Sequence, residues 1–339
     1  MSEFELQKHL TTGPLPSRPQ PQPQILRHLL VCVDTSPFAE AVLAHAAAVA
    51  MGTDARMTVM SVLESSSAQA PTDPVEWTLR HRDVEAALRE RASRFGDLKA
   101  VVVDGPAAER ICAFARENAV DLTVLGEGGE GNWPFVGLGG TARRVTEAVT
   151  GSVLIVPSSQ IGETPIHYRR VLMPLDGSSR SECALPIGLA IAAAHDAELL
   201  LVHAAPNVDI TETDPLEAEV IMLRDRLRRR NERAAERYLK RIRSRLPRTP
   251  ATRIRVLRSG DPRHALARAV TEEHADLMVL SSTGQSGHPD MAVGSVADYL
   301  VSHTDIPVLL VRSCGKDSAV VYRKSGEAMA VRLPSRALM

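Results

Sequence analysis

The sequence predicts an α/β protein made of two tandem copies of one unit, each an open, mostly parallel five-stranded sheet flanked by helices. Three observations predict it. The second half repeats the landmarks of the first: Gly129 and Gly284 stand 155 residues apart (284 − 129), and so do Asp121-Leu122 and Asp276-Leu277, Gly105 and Gly260, and the apolar runs at Val153 and Val308. Within each half, short continuous apolar runs alternate with helical stretches, the pattern of strands covered on both faces and joined through crossover helices. Finally, 339 residues at 44% hydrophobic and 3% aromatic suit two domains of roughly 150 residues, with cores of Ala, Val, Leu and Ile. A period this long marks a duplicated domain, because solenoid units run to about 20–50 residues.

The elements follow in order. Residues 1–24 end in a Pro/Gln-rich run, Pro16 to Gln24, that buries no apolar area and is expected to be a disordered tail. The first copy, 25–156, opens with a strand at Leu29–Val33. Asp34-Thr35-Ser36 then offers three capping residues for a helix through Glu40 to Met51. Strand Met57–Leu63 leads to Asp73-Pro74-Val75-Glu76, a helix start with Asp at the N-cap and Pro at the first helical position; that helix runs to Phe95 and stops at Gly96. Strand Leu98–Val103, helix Ala107–Asn118, strand Leu122–Leu125, a glycine loop, helix Thr141–Val149 and strand Val153–Val156 complete the copy. After a linker at 157–167, the second copy, 168–314, repeats the order: strand Val171–Leu175, helix Ser181–Ala194, strand Leu199–Ala204, a helix from Pro215, strand Ile254–Leu257, helix Arg263–Glu273, strand Leu277–Leu280, a loop, helix Val296–Ser302 and strand Val308–Val311. The extension 315–339 has no counterpart in the first copy; Ala319–Tyr322 and Ala328–Leu333 read as two short strands around Lys324-Ser325-Gly326.

Charge and cysteine usage narrow the function. A net charge of −1 points to neither nucleic acid nor an anionic membrane. The exception is local: from Arg224 to Arg245 there are eleven Lys/Arg against three acids. Leu216, Val220, Leu223, Leu227, Ala234, Tyr238 or Leu239, Ile242 and Leu246 define one apolar stripe there, so the reading is an amphipathic helix with solvated or acid-paired arginines. No apolar stretch approaches the ~20 residues of a membrane span, and no signal-peptide core is expected at the start. Cys32, Cys112, Cys183 and Cys314 form no CxxC pair and read as reduced thiols of a cytoplasmic protein. His203 reads as a core histidine satisfied by a backbone carbonyl. No metal-site spacing, GxSxG, HExxH or P-loop lysine is present.

The candidate chemistry lies in the loops. Gly126-x2-Gly129 precedes Gly139 by nine intervening residues, and Gly284 precedes Gly294-Ser295 by the same nine. Each loop follows an apolar strand and opens a helix. Glycines let the backbone approach an oxyanion, and the free amides of a helix start favour phosphate. In a parallel sheet, ligands bind beyond the carboxyl ends of the strands, where Asp34 and Asp176 stand at the end of the first strand of each copy.

On these residues, namely Val33-Asp34, Asp176-Gly177-Ser178, the two glycine loops and the closing Val-Leu-Ile-Val and Val-Leu-Leu-Val runs, Ile25–Ser313 resembles a tandem universal stress protein. The resemblance implies that the strand-end aspartate holds a nucleoside and the loop its ribose and phosphates. Those roles fall on Asp176, Gly284, Gly294 and Ser295, and in the first copy on Asp34, Gly126, Gly129 and Gly139. It implies ATP or AMP as ligand, a stress-signalling role through nucleotide-dependent contact with protein partners, assembly as a homodimer, and no catalytic reaction. The copies depart from the pattern differently. Gly140 stands where the family has Ser or Thr, and Glu127 and Glu130 bring like charge to the first loop; Ser281 replaces the first glycine of the second, and Gln285 follows its second. Nucleotide is therefore expected in copy two ahead of copy one. Two other readings stand beside this one: a stress-related scaffold that has lost nucleotide binding, and an ATP-hydrolysing enzyme of a related α/β fold, for which no base, lysine clamp or metal cluster accompanies the loops.

Overall fold

The computed structural model describes residues 26–64, 73–96, 98–129, 137–160, 165–206, 218–258, 260–284, 291–312, 319–324 and 327–332. The Pro/Gln-rich tail, Pro215, Glu130 and Gln285 lie outside them. The first copy runs β1 (His28–Cys32), α1 (Ala39–Thr53), β2 (Arg56–Leu63), α2 (Pro74–Ser93), β3 (Lys99–Asp104), α3 (Ala107–Glu117), β4 (Leu122–Gly126), α4 (Gly140–Ala148) and β5 (Ser152–Val156). The second runs β6 (Arg170–Pro174), α5 (Ser179–Glu182), α6 (Leu185–Ala194), β7 (Glu198–Ala205), α7 (Ala218–Arg243), β8 (Thr252–Arg258), α8 (Pro262–Glu272), β9 (Leu277–Ser281), α9 (Ser295–His303) and β10 (Val308–Val311).

Each copy is a parallel sheet in the order 3-2-1-4-5, and the two sheets are one. The order across ten strands is β3-β2-β1-β4-β5-β10-β9-β6-β7-β8. The join is the antiparallel pair β5–β10, with Leu154 opposite Leu309; every other pair in this sheet is parallel. The strands are near-continuous apolar runs because both faces are covered; Leu29, Leu30, Leu122, Leu154, Leu172 and Leu309 are fully buried. At the outer edge, β8 carries Arg253 and Arg255, paired with Glu198, Glu272 and Glu273, a charged rim of the kind that blunts edge-to-edge pairing.

Helix α6 is apolar on every side because it is covered on every side, and α1 is buried along most of its length with Glu40 and Met51 exposed near its ends. They pack on the sheet and on each other across the two copies, and β11 (Ala319–Lys324) lies against both. β11 pairs antiparallel with β12 (Glu327–Arg332) around residues 325–326, the two short strands that the sequence suggested. The contact between copies holds a buried polar cluster: His45 Nδ1 lies 2.9 Å from the Tyr168 hydroxyl, and His195 Nε2–H donates to the carbonyl of Ala48 at 2.9 Å.

Several local readings need correction. The cap of α1 is Phe38, with no side-chain capping bond, in place of Asp34, Thr35 or Ser36. The helix expected over Ser181–Ala194 is two helices, because Pro186 near the start of α6 has no N–H to continue the ladder from α5. In α7, Leu223 is 54% exposed and Ala234 is exposed. The buried stripe is confined to the C-terminal half of the helix, at Ala235, Leu239 and Ile242, with Leu246 just beyond. Cys183 is disulfide-bonded, against the expectation of four reduced thiols; Cys32 and Cys112 are free, and Cys314 lies outside the described residues.

Candidate functional site

The sheet order reverses between strands one and four of each copy, and there the strand-end aspartate meets the glycine loop. In copy one, Asp34 follows β1 and the loop follows β4. A β-carbon on Gly129 would stand 2.8 Å from Asp34 Oδ2. In copy two, a β-carbon on Gly284 would overlap Asp176 Oδ2. Neither glycine has a positive φ, so the requirement is space for the carboxylate rather than backbone freedom. Neither aspartate caps α1 or α6. Asp34 accepts from the Ser36 amide at 3.0 Å, and Asp176 from the amide and hydroxyl of Ser178 at 2.9 and 2.6 Å. Ser178 in turn caps α5, accepting from the Ser181 amide at 3.1 Å.

The far end of each loop folds back on its beginning. Gly139 N–H donates to the Glu127 carbonyl at 2.9 Å, and Gly294 N–H to the Ser282 carbonyl at 2.7 Å. Gly139 and Gly294 are the N-caps of α4 and α9, and neither helix has a side-chain capping bond. The first-turn amides of two nine-residue helices therefore lie beside the loops, as an anion site requires. Ser295 is the first residue of α9 and is exposed; Gly140 holds the same place in α4. Gly126 ends β4, where an added β-carbon would meet the Gly128 carbonyl at 3.1 Å. The sequence-predicted residues of each copy thus converge on one rim of their own sheet.

Charge around the loops is not as the sequence suggested. The Glu127 carboxylate accepts from the Ser158 amide at 3.3 Å, turned toward the linker. Burial raises its pKa, the Ser158 bond lowers it and Asp305 raises it again, for a net upward shift. Two arginines that lie outside the glycine motif also reach these residues. Arg91, from α2, donates to the Asp34 carbonyl at 3.2 Å, and Arg180, from α5, donates to the Gly284 carbonyl at 3.5 Å. Both come from elements outside the glycine motif, and the repeat gives no sign of Arg180, whose place four residues after the strand-end aspartate is held by Phe38 in the first copy. His203 Nδ1–H donates to the Leu175 carbonyl at 2.7 Å, which fixes its tautomer beside Asp176 and agrees with the core-histidine reading.

Asp121 and Asp276, the other repeated acids, sit at the opposite rim. Asp121 accepts from the amides of Arg27 and His28, and Asp276 from those of Arg169 and Arg170, so they pin the start of the first strand of each copy. A groove of 440 Å³ between α7 and β8, lined by Glu232, Arg233, Glu236, Ile254, Val256 and Arg258, includes none of the loop residues. Among the described residues no cluster of three or more His, Cys, Asp or Glu is placed to hold a metal, and no helix is long and apolar enough to cross a membrane.

Comparison with known proteins agrees with this architecture. The profile of the Universal stress protein family matches residues 26–157 and again 167–312. A universal stress protein of Thermus aquaticus is 33% identical over 146 residues, 43% of this chain and 99% of the relative. One from Mycobacterium tuberculosis is 30% identical over 193 residues, 56% of this chain; the match spans 61% of that relative's length. Among solved structures, a functionally unknown protein from Pseudomonas aeruginosa aligns over 85% of this chain and 93% of its own, with TM-score 0.58 and 14% identity. A universal stress protein from Archaeoglobus fulgidus aligns over 84% and 98%, with TM-score 0.57 and 18% identity; at these identities the likeness is one of fold. With the family profile matched twice and nearly the whole described sheet inside the two matches, the chain belongs to the universal stress protein family and carries its domain in tandem.

Proposed function

We propose that this protein is a non-catalytic stress-response protein that binds an adenine nucleotide, ATP or AMP, and acts by nucleotide-dependent contact with protein partners in the cytoplasm, a second copy of itself among them. One observation carries the reading. In both copies the strand-end aspartate lies against the loop glycine, Asp34 on Gly129 and Asp176 on Gly284, at the switch point of a parallel sheet and beside a helix start without a side-chain cap. A polar acceptor for a nucleoside and a row of amides for phosphates stand together there. The site residues are Asp176, Gly284, Gly294 and Ser295, with Asp34, Gly126, Gly129 and Gly139 as their first-copy counterparts. Copy two is the preferred site, because Ser295 supplies a hydroxyl where copy one has Gly140.

A scaffold reading has one observation in its favour: the polar groups are engaged locally, Asp34 with Ser36, Asp176 with Ser178, and Ser281 Oγ donating to the Thr283 carbonyl at 2.7 Å within the loop. Mass spectrometry of small molecules released on denaturing the purified protein, followed by titration calorimetry with ATP and AMP, separates the two. Released adenine nucleotide, or saturable binding below millimolar, supports the nucleotide reading. A folded sample that releases none and binds none at millimolar concentration leaves the scaffold.

A further inference from the structure

Helix α7 has a face that the fold does not use. It is 26 residues long and carries ten Lys/Arg against four acids, whereas α2, its counterpart in the first copy, has 20 residues with four of each. Its buried side is Ala235, Leu239 and Ile242, all in the second half. Nine residues ahead of these stand Arg226, Arg230 and Arg233. Nine residues are two and a half turns at about 3.6 residues per turn, so the three arginines point directly away from the sheet. Arg229 and Arg237 flank them on the same side, and all five are exposed.

The five guanidinium groups are unanswered within the described chain. Three of the helix's four acids are taken by other cations: Asp225 by Arg224, Glu232 by Arg228 and Arg258, and Glu236 by Lys240. Glu219 lies in the first turn, ahead of the row. Arg226, Arg229, Arg230, Arg233 and Arg237 have no side-chain hydrogen bond or ion pair among the described residues. They form a cationic row about 16 Å long at 1.5 Å per residue. At its amino-terminal end Met222 and Leu223, on either side of the same outward face, are 66% and 54% exposed.

We propose that this face of α7 docks an acidic protein segment, a helix or surface strip with carboxylates at one-turn spacing and an apolar end that covers Met222 and Leu223. The proposal goes beyond the nucleotide reading and stands without it. Arginine's planar fork suits carboxylates in pairs, and aliphatic side chains at one end fix the register that charge alone leaves free. A lipid surface fits less well, because an interfacial helix needs an apolar face along its length and this face is apolar at one end only. A phosphate backbone would leave Met222 and Leu223 uncovered, and the whole chain carries a net charge of −1.

The test uses the full chain and a fluorescein-labelled synthetic helix of about 16 residues, the span from Met222 to Arg237, with Glu at one-turn spacing on one face and two Leu at one end. Fluorescence anisotropy gives the affinity, beside the same peptide with Gln for Glu, a single-stranded oligonucleotide and vesicles of phosphatidylcholine with phosphatidylserine. The expected result is saturable binding of the Glu peptide that weakens with salt and falls about tenfold or more in Arg229→Glu with Arg233→Glu. Leu223→Ser should weaken it by a smaller factor. Circular dichroism verifies folding, and Arg226→Gln with Arg230→Gln and Arg237→Gln provides a milder second variant. No binding at about millimolar peptide, equal binding of the Gln peptide, or affinity that neither set of arginine variants changes overturns the proposal. Oligonucleotide or vesicles bound more tightly than the Glu peptide, with the same loss in the variants, overturns it in favour of that other class.

Discussion

The carboxylate of Asp176 occupies the space where a side chain on Gly284 would begin. The same contact joins Asp34 and Gly129, so the closeness of strand end and loop is a property of the repeated unit. It also makes the two glycines unlike their neighbour Gly128, where an added β-carbon meets nothing within 4 Å.

That difference gives a paired prediction. Gly284→Ala forces Asp176 or the loop to move and should cost about 1–3 kcal/mol, the usual range for overpacking, together with nucleotide affinity. Gly128→Ala should change stability by less than about 0.5 kcal/mol. Urea denaturation of the two variants checks the contrast; equal effects would remove the argument from close approach.

Asp176→Ala should weaken nucleotide binding more than it weakens the fold. It removes the acceptor for the Ser178 amide and hydroxyl, a loss comparable to that of a helix cap, about 0.5–2 kcal/mol. A two-domain sheet survives that. Calorimetric titration and thermal melting, done on the same sample, decide; outright unfolding or normal binding would each sink the ligand role.

Acid should loosen the contact between the copies. His45 is buried in that contact, facing the Tyr168 hydroxyl, and burial holds its pKa down to about 4 against a small opposing effect of Gln160. His195 is also held below its ordinary value, first by burial, with His167 lowering it further and the Ala48 bond and Asp276 opposing. Its Nδ1 accepts from the Tyr168 amide at 3.4 Å, so a second proton there would face an N–H. Between about pH 6.5 and about 4 the unfolded chain binds a proton on His45 that the folded chain does not, so stability is complete above pH 6.5 and falls as pH drops through that window. The His45 share is roughly 3 kcal/mol. His45→Asn should flatten the stability-against-pH curve by about one proton between pH 6 and 4.5; an unchanged slope would refute the assignment.

The basic helix should not retain nucleic acid. Glu232 pairs with both Arg228 and Arg258 at 3.4 Å, and Glu236 with Lys240 at 2.7 Å, so part of its charge is answered within the chain. Oligonucleotide binding should be weak at every salt concentration. Tight binding that falls steeply with salt and disappears on replacing Arg228, Arg229 and Arg230 by Gln would move the helix into a nucleic-acid-binding role.

Thiol counting provides a fifth check. The denatured, unreduced protein should react at two thiols, Cys32 and Cys112, and the reduced protein at all four cysteines of the chain. Four reactive thiols before reduction would show that the Cys183 bridge does not form.

Much of the fold was legible because its signals are local and doubled. Apolar runs, the Asp73-Pro74 start and the stop at Gly96 depend on neighbouring residues, and each landmark could be checked against its twin. The site was legible to the extent that Asp34, Asp176 and the loops sit at strand ends. The join of β5 to β10 was not, because Val-Leu-Ile-Val and Val-Leu-Leu-Val carry no mark of which strand edge they meet or in which direction. Arg91 and Arg180 were missed because their contacts depend on how helices lie over strand ends. The stripe on α7 was misplaced by one residue at Ala235, since an alanine pair offers no polarity difference by which to choose a face.

The antiparallel seam has a consequence for anything that engages this chain. With β5 and β10 running in opposite directions, the strands of one copy end where those of the other begin, and the two loops open at opposite rims of the sheet. The two loops are thus held apart by the full height of a strand layer, each open on its own rim.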